Sequence, residues 1–261
     1  MMKEFKNHTF VICAYKESDY LEEVIVSLEN QTVKSNIIIA TSTPNEYIQK
    51  IADKHHLELF VNHVTEGIGP DWNFAVQATK TQFVTVAHQD DVYDMHYTEE
   101  MYRAIQRYPD SIMLFTNHKE IREGKVVPKN INLKIKAIMV LPIRLVNSMR
   151  FTKKLIVSFG NPICCPSVCL NTEKTGKKPF REDMKSNIDW GTWLDFSKKK
   201  GRFIYVSRIL TFHRVHHQSE TSKLIEDHER VKEDYEMFCR IWPKWLAKCI
   251  MIFYKHAQDA N

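Results

Sequence analysis

Glycine is scarce in this chain, with seven in 261 residues, and none is arranged as a GxGxxG or Walker-type loop. Without a glycine-rich turn there is no backbone cradle for phosphate, so side chains or a metal must meet any phosphate group. The six cysteines, at 13, 164, 165, 169, 239 and 249, form no CxxC pair and no zinc-type spacing with histidine. That pattern excludes a disulfide scaffold and reads as a reduced, cytoplasmic protein. No run approaches the about 18 apolar residues of a spanning helix, and the Met1 end carries charges instead of an apolar signal segment. Charge of one sign is lacking too. With 37 basic and 32 acidic residues the net is +5, too small to argue for nucleic acid, and no nucleic-acid partner is expected. What remains is a chain with 43% hydrophobic residues, enough for one large α/β domain or two small ones.

The most informative stretch is Phe83-Val84-Thr85-Val86-Ala87-His88-Gln89-Asp90-Asp91-Val92-Tyr93. An apolar, β-branched run ending in paired carboxylates reads as a buried strand that delivers Asp90 and Asp91 to the carboxyl edge of a sheet. Open α/β sheets bind ligands at that edge. Adjacent carboxylates repel, and a divalent ion is their simplest compensator. A plain helix N-cap at Asp90, Asp91 or Asp94 is the alternative.

Earlier in the chain, Thr9–Tyr15, Ile37–Ala40 and Leu57–Val61 read as strands. Helical patterns lie between them, over Leu21–Leu28 and Tyr47–Ala52, and Asp71–Thr79 reads as a helix capped by Asp71. Strands alternating with helices imply a parallel sheet with right-handed crossovers. Residues 14–17, 41–43 and 90–91 should therefore face one crevice. His55 and His56 read as a solvent-exposed helix end. Further on, a helix spans Glu99–Arg107, strands cover Ile112–Phe115 and Arg202–Val206, and the helix opening at Asn187-Ile188-Asp189 runs to Lys200, where Gly201 ends it. Between Glu123 and Glu173 there is no acidic residue, while lysines and arginines punctuate apolar sequence and Pro142 interrupts any helix. Such a stretch reads as a surface for anionic lipid or a phosphorylated acceptor, or as an ordinary solvated helix face. Thr211–Ser222 gathers three histidines and Arg214 in what reads as a polar loop, a candidate metal or diphosphate clamp. From Glu226 a charged helix leads to Trp242-Pro243-Lys244-Trp245 and a short apolar helix suited to lie on a membrane or cover the core.

These motifs together resemble the family-2 glycosyltransferases. Thr9–Thr32, with Tyr15, Leu21-Glu22-Glu23 and Ser27-Leu28-Glu29-Asn30-Gln31-Thr32, is similar to the family's opening, with Cys13 and Lys16 in place of its usual Pro and Asn. The acids that recognise the base at the end of the second strand are Thr41-Ser42-Thr43 here. Gly69-Pro70-Asp71-Trp72-Asn73 resembles the segment under the donor sugar, and His88-Gln89-Asp90-Asp91 falls on the Asp-x-Asp-Asp signature with His88 at the first acid. Gly160–Val168 resembles the segment lining the acceptor side. Asp189 falls on the acid at a helix N-terminus that acts as general base, preceded by Ile188 where Glu is common. Arg214-Val215-His216 matches the Arg-x-His segment that completes the metal site.

The resemblance implies a GT-A fold, a Rossmann-like, mostly parallel sheet flanked by helices. Residues 1–222 would form the catalytic domain, split into a nucleotide-sugar-binding half (8–94) and an acceptor-binding half (95–222), with 223–261 a C-terminal helical extension. It implies metal-dependent, inverting transfer of a sugar from a nucleotide-diphosphate donor, UDP-sugar favoured, to a hydroxyl of a glycan or lipid-linked acceptor in cell-surface polysaccharide synthesis. Asp189 would be the catalytic base. A divalent cation, Mn2+ or Mg2+, would be held by Asp90, Asp91 and His216. Donor contacts would come from Ala14, Tyr15, Glu17, Thr41, Thr43, Asp71, Asn73, Gln89, Asp90 and Arg214. Segments 124–158 and 242–256 are two candidate surfaces for peripheral contact at the inner face of a membrane. A nucleotidyltransferase, or a catalytically degenerate nucleotide-sugar-binding protein, is the alternative.

Overall fold

The structure, a computed structural model, describes residues 4–64, 67–216 and 229–259. Among the described residues, nine strands form one sheet: β1 (Glu4–Ala14), β2 (Lys34–Thr41), β3 (Glu58–Val61), β4 (Phe83–His88), β5 (Val92–Tyr93), β6 (Ser111–Arg122), β7 (Lys125–Val126), β8 (Val168–Asn171) and β9 (Arg202–Val215). Their order is β3-β2-β1-β4-β8-β6-β9-β5, with β7 paired to β6. The first four are parallel, as the alternation of strands with helices implies. Cys13 of β1 pairs with Ala40 of β2 and His88 of β4, so the carboxyl ends of all three strands come level at one edge. β8 runs antiparallel between β4 and β6, and β6 and β9 are parallel.

Period-two alternation divides β1 between two cores. Phe10, Ile12 and Ala14 join Leu21, Val24, Ile25 and Leu28 of helix Leu21–Glu29 on one face of the sheet. Val11 faces the other side, packed with Val84, Val86, Trp190, Trp193 and Phe238. The second core is closed by helix Ile188–Ser197 and helix Glu229–Ile241. Trp190 donates its indole N–H to the Val157 carbonyl at 2.8 Å, which satisfies the only polar atom of a fully buried side chain.

Several expectations change. Helix Ile68–Ala78 starts one turn earlier than expected, after Gly67, so Asp71 lies inside it and does not cap it. Its carboxylate instead accepts from Ser42 Oγ (2.7 Å) and Asn62 Nδ2 (2.9 Å), at the ends of β2 and β3. Residues Thr211–Val215 are strand and not loop, because they continue β9 beside β6 and, at Thr211 and Phe212, pair with β5. His55 is half-buried between Glu22 and Glu29, whereas His56 is exposed. The helix holding Asp189 stops at Ser197, and Gly201 serves the turn into β9, where a Cβ would sit 2.5 Å from the Asp110 carbonyl at a φ of +116°. Pro142 does interrupt helicity: helix Ile131–Met139 ends before it, and it opens the short helix Leu141–Leu145. Residues 217–228, which include the rest of the histidine cluster and Glu226, lie outside the described residues.

Candidate active site

The turn after β4 carries Asp90 and Asp91 at the carboxyl edge, where β9 returns to meet it. Asp91 is 1% exposed, and its Oδ1 lies 2.9 Å from His213 Nδ1 while accepting the Arg214 backbone N–H, also at 2.9 Å. Asp90 Oδ2 lies 3.0 Å from His216 Nε2. Arg214 donates through Nε to the Asp90 carbonyl (2.9 Å) and through Nη2 to Glu23 (2.6 Å), with its guanidinium 4.1 Å above the Tyr20 ring. These contacts make buried Arg214 a brace for the Asp90 turn rather than an open diphosphate ligand. Burial opposes ionisation of Asp90, but the hydrogen bond with His216 and the charges of His88, His213 and His216 outweigh it and hold its pKa below the ordinary aspartate value. His213 shows the reciprocal balance. Burial disfavours its charge, yet the Asp91 carboxylate beside it raises its pKa to about 9.

His88, the residue standing where an acid was expected, completes this cluster. Its ring stacks on Trp72 at 5.1 Å, and its Nδ1 is 3.8 Å from Asp91 Oδ2. His88 Nε2 and Asp91 Oδ2 are both buried without a hydrogen-bond partner. Buried polar atoms are rarely left this way unless something absent completes them. One ligand atom from each of His88, Asp90 and Asp91 can be chosen so that all lie within 4.8 Å of one another. Mixed imidazole and carboxylate donors at such spacing fit a divalent cation. His216 joins the cluster through its bond to Asp90.

Most of the residues expected on the donor side meet at the ends of β1 and β2. Gln89 clasps Tyr15 through both backbone groups, accepting its N–H at 2.8 Å and donating to its carbonyl at 3.0 Å. Lys16, at φ +55°, donates its N–H to Thr43 Oγ1 (2.6 Å), and Thr43 N–H donates to Thr41 Oγ1 (3.0 Å). Ala14 and Thr41 are buried supports, while Tyr15 and Glu17 are exposed at the edge. Asn73 lies elsewhere. It is buried and bonds to Phe180 N, Phe180 O and Glu182 Oε1, each at 2.8 Å, tying helix Ile68–Ala78 to the 180–182 loop. That loop comes so close that a Cβ on Gly69 would sit 2.2 Å from the Arg181 carbonyl.

Asp189 occupies the first turn of helix Ile188–Ser197. The chain before it is pinned by Glu233, whose carboxylate accepts backbone N–H groups from Lys185, Ser186 and Asn187 at 2.6–2.8 Å. Asp189 accepts from Asn161 Nδ2 (2.6 Å) and from the Trp190 N–H (2.7 Å). Burial nevertheless raises its pKa above the ordinary aspartate value. Both carboxylate sites lie within electrostatic reach of one thiol, for burial pushes Cys164 well up and the charges of Asp91 and Asp189 add to it. Three contributors escaped the sequence reading: His88 as a candidate ligand, His213 as the partner of Asp91, and Asn161 as the donor to Asp189. All three sit inside motifs already singled out, but the pairing of Asn161 with Asp189 gives no local signal, because it is a contact between residues 28 apart.

The chain is similar to known proteins in sequence and in fold. The sequence model described as Glycosyl transferase family 2 matches residues 9–174. No curated protein matches this chain at the sequence level. Among solved structures, residues 1–349 of S. aureus TarS in complex with UDP-GlcNAc superpose with a TM-score of 0.65 at 15% identity, covering 95% of this chain and 70% of that one. The mannosyltransferase PcManGT from Pyrobaculum calidifontis, in complex with GDP-Man and Mn2+, gives a TM-score of 0.67 at 11% identity, with the same coverage of 95% and 70%. The fold is thus the GT-A type that the resemblance implied. With most of its length matched by that family model, the chain belongs to glycosyl transferase family 2 and is a glycosyltransferase.

Proposed function

We propose that this glycosyltransferase moves a sugar from a nucleotide-diphosphate donor to an acceptor hydroxyl by one inverting displacement. The observation that carries the reading is the His88–Asp90–Asp91 cluster at the carboxyl edge of the sheet, in which Asp91 Oδ2, 3.8 Å from His88 Nδ1, is buried without a hydrogen-bond partner. His88, Asp90 and Asp91 would hold a divalent cation there, with His216 positioning Asp90. Such an ion, when bound, neutralises charge on the departing diphosphate. A similar protein of the same fold is known in complex with GDP-Man and Mn2+.

The chain's own residues supply the rest. Gln89 fixes the backbone at Tyr15, and Thr43 fixes it at Lys16, which shapes the donor cleft. Asp71, held by Ser42 and Asn62, brings an acid to the place where the second strand itself supplies only Thr41-Ser42-Thr43. A carboxylate there can accept the ring N–H of uracil, as it could that of thymine or guanine but not of cytosine, and a UDP-sugar is favoured among these because S. aureus TarS of this fold is known with UDP-GlcNAc. Asp189 takes the acceptor proton as its hydroxyl oxygen bonds to the anomeric carbon. The bond from that carbon to the diphosphate oxygen breaks, and the nucleoside diphosphate leaves with the electron pair. A pKa raised by burial makes Asp189 a stronger base than a solvated aspartate. The acceptor class that suits this family reading is a glycan or lipid-linked glycan of the cell surface.

Calorimetric titration with UDP, dTDP, GDP and CDP, with and without Mn2+, tests the donor. Metal-dependent binding of UDP above the others is expected. Absence of binding to all four by the folded protein would leave a non-catalytic family member instead.

A further inference from the structure

The exposed apolar surface of this molecule is concentrated in two segments. Of seventeen large apolar side chains exposed among the described residues, twelve lie in residues 131–159 or 245–253. In helix Ile131–Met139, Ile131, Ile135 and Ile138 follow helical spacing along the outer face, at 73%, 44% and 65% exposure, while Leu133 is buried on the inner one. Leu145 and Phe151 are 89% and 72% exposed on the following turns. In helix Lys244–Asp259, Trp245, Ile252 and Phe253 point outward and Ala247 and Met251 inward.

The two segments touch. Trp242 donates its indole N–H to the Ser158 carbonyl at 2.8 Å and packs its ring 5.3 Å from that of Phe159, while the Tyr254 ring lies against Gly160. Both segments are free of acid, with none between Glu123 and Glu173 or between Glu236 and Asp259. Lys134, Arg144, Arg150, Lys154, Lys244 and Lys248 are exposed among the apolar residues.

We infer that these helices form one docking face for an anionic bilayer surface. A second copy of the chain is a poor occupant, since a two-fold interface would set one acid-free basic face against another. Protein interfaces also deplete lysine, whereas aromatic and aliphatic anchors rimmed by Lys and Arg suit a lipid headgroup layer. The contact is peripheral, since no described helix is long and apolar enough to cross a membrane. The exposed stretch ends at Phe159, two residues before Asn161, which donates to Asp189, so docking would lay the acceptor side of the site close to the bilayer. That last step rests on the proposed role of Asp189, whereas the docking itself does not.

Co-sedimentation of the full chain with vesicles of phosphatidylcholine, with and without phosphatidylglycerol, tests the inference. Binding is expected to the anionic vesicles and to weaken as salt is raised. Replacing Lys134, Arg144, Arg150 and Lys154 together by Gln should cut partitioning at least about a hundredfold. Phe151→Ser with Phe253→Ser should reduce it on both vesicle types, with nucleotide binding unchanged. A protein that ignores anionic vesicles, variants that bind as well as the parent, or concentration-dependent dimers that mask the face would each overturn the proposal. Vesicle binding without nucleotide binding would sink the donor reading and leave the docking face intact.

Discussion

Two carboxylate sites lie near Cys164, and they are built by opposite means. Asp90 and Asp91 sit among imidazoles, a backbone N–H and an arginine brace, so positive charge compensates them and the Asp90 pKa falls. Asp189 is buried beside two close donors, a side-chain amide and a backbone N–H, both neutral, and its pKa rises. The same side chain is thereby sorted into two jobs, a permanent anion that can hold a cation and a carboxylate that can take up a proton. Environment makes that division, since the residue type is common to both.

The largest test of the comparison is Asp189→Asn. It should lower sugar transfer by about 10²–10⁴-fold while metal-dependent nucleotide binding persists, measured by initial rates and calorimetry. Near-normal transfer would remove Asp189 from the base role. Asp90→Asn should act on the other side of the division, abolishing the Mn2+ dependence of nucleotide binding; unchanged binding would take Asp90 out of the metal shell. Asn161→Ala sharpens the contrast further. Its amide favours the charged form of Asp189, so its loss should raise that pKa and shift the acidic limb of the pH–rate profile upward by about one unit. A limb that stays in place would mean that Asn161 does not tune the base.

Away from the site, a test on stability concerns a histidine treated in the opposite way from His213. His8 is fully buried between Ser35 Oγ (2.9 Å) and Thr85 Oγ1 (3.0 Å), and burial lowers its pKa from 6.5 to about 3. The unfolded chain therefore binds a proton below pH 6.5 that the folded chain refuses. Stability should fall between pH 6.5 and about 3 by roughly 1.4 kcal/mol per unit from this group, and His8→Gln should flatten that slope in denaturant melts. His213 has the reverse sign. Its raised pKa gives stability fully present below pH 6.5 and lost as pH climbs through about 9.

Much of the carboxyl edge of the sheet was legible in sequence because its signals are local. Continuous apolar runs made β1 and β4 recognisable, and their abrupt polar ends marked the edge where Tyr15, Gln89 and Asp90 meet. The end of β9 reads as a loop for the same local reason. Leu210–Val215 carries His213 and Arg214, whose polarity hides a strand when the carboxylates they face cannot be seen. Asp71 looked like a cap because Asp caps well, but helix Ile68–Ala78 begins at Gly67 and frees it for Ser42 and Asn62.

The sequence by itself determined the alternating strands and helices, the placement of Asp90 and Asp91 at a strand end, the acid at the start of the 188–197 helix and the acid-free basic stretch. All are written in neighbours along the chain. Only the tertiary structure decided that His213 neutralises Asp91, that Asn161 and burial set the basicity of Asp189, and that residues 131–159 and 245–253 join in one face. Each of these depends on groups far apart in sequence meeting where water is excluded, and it is there that charge, hydrogen bonding and desolvation gain the strength to decide a carboxylate's role.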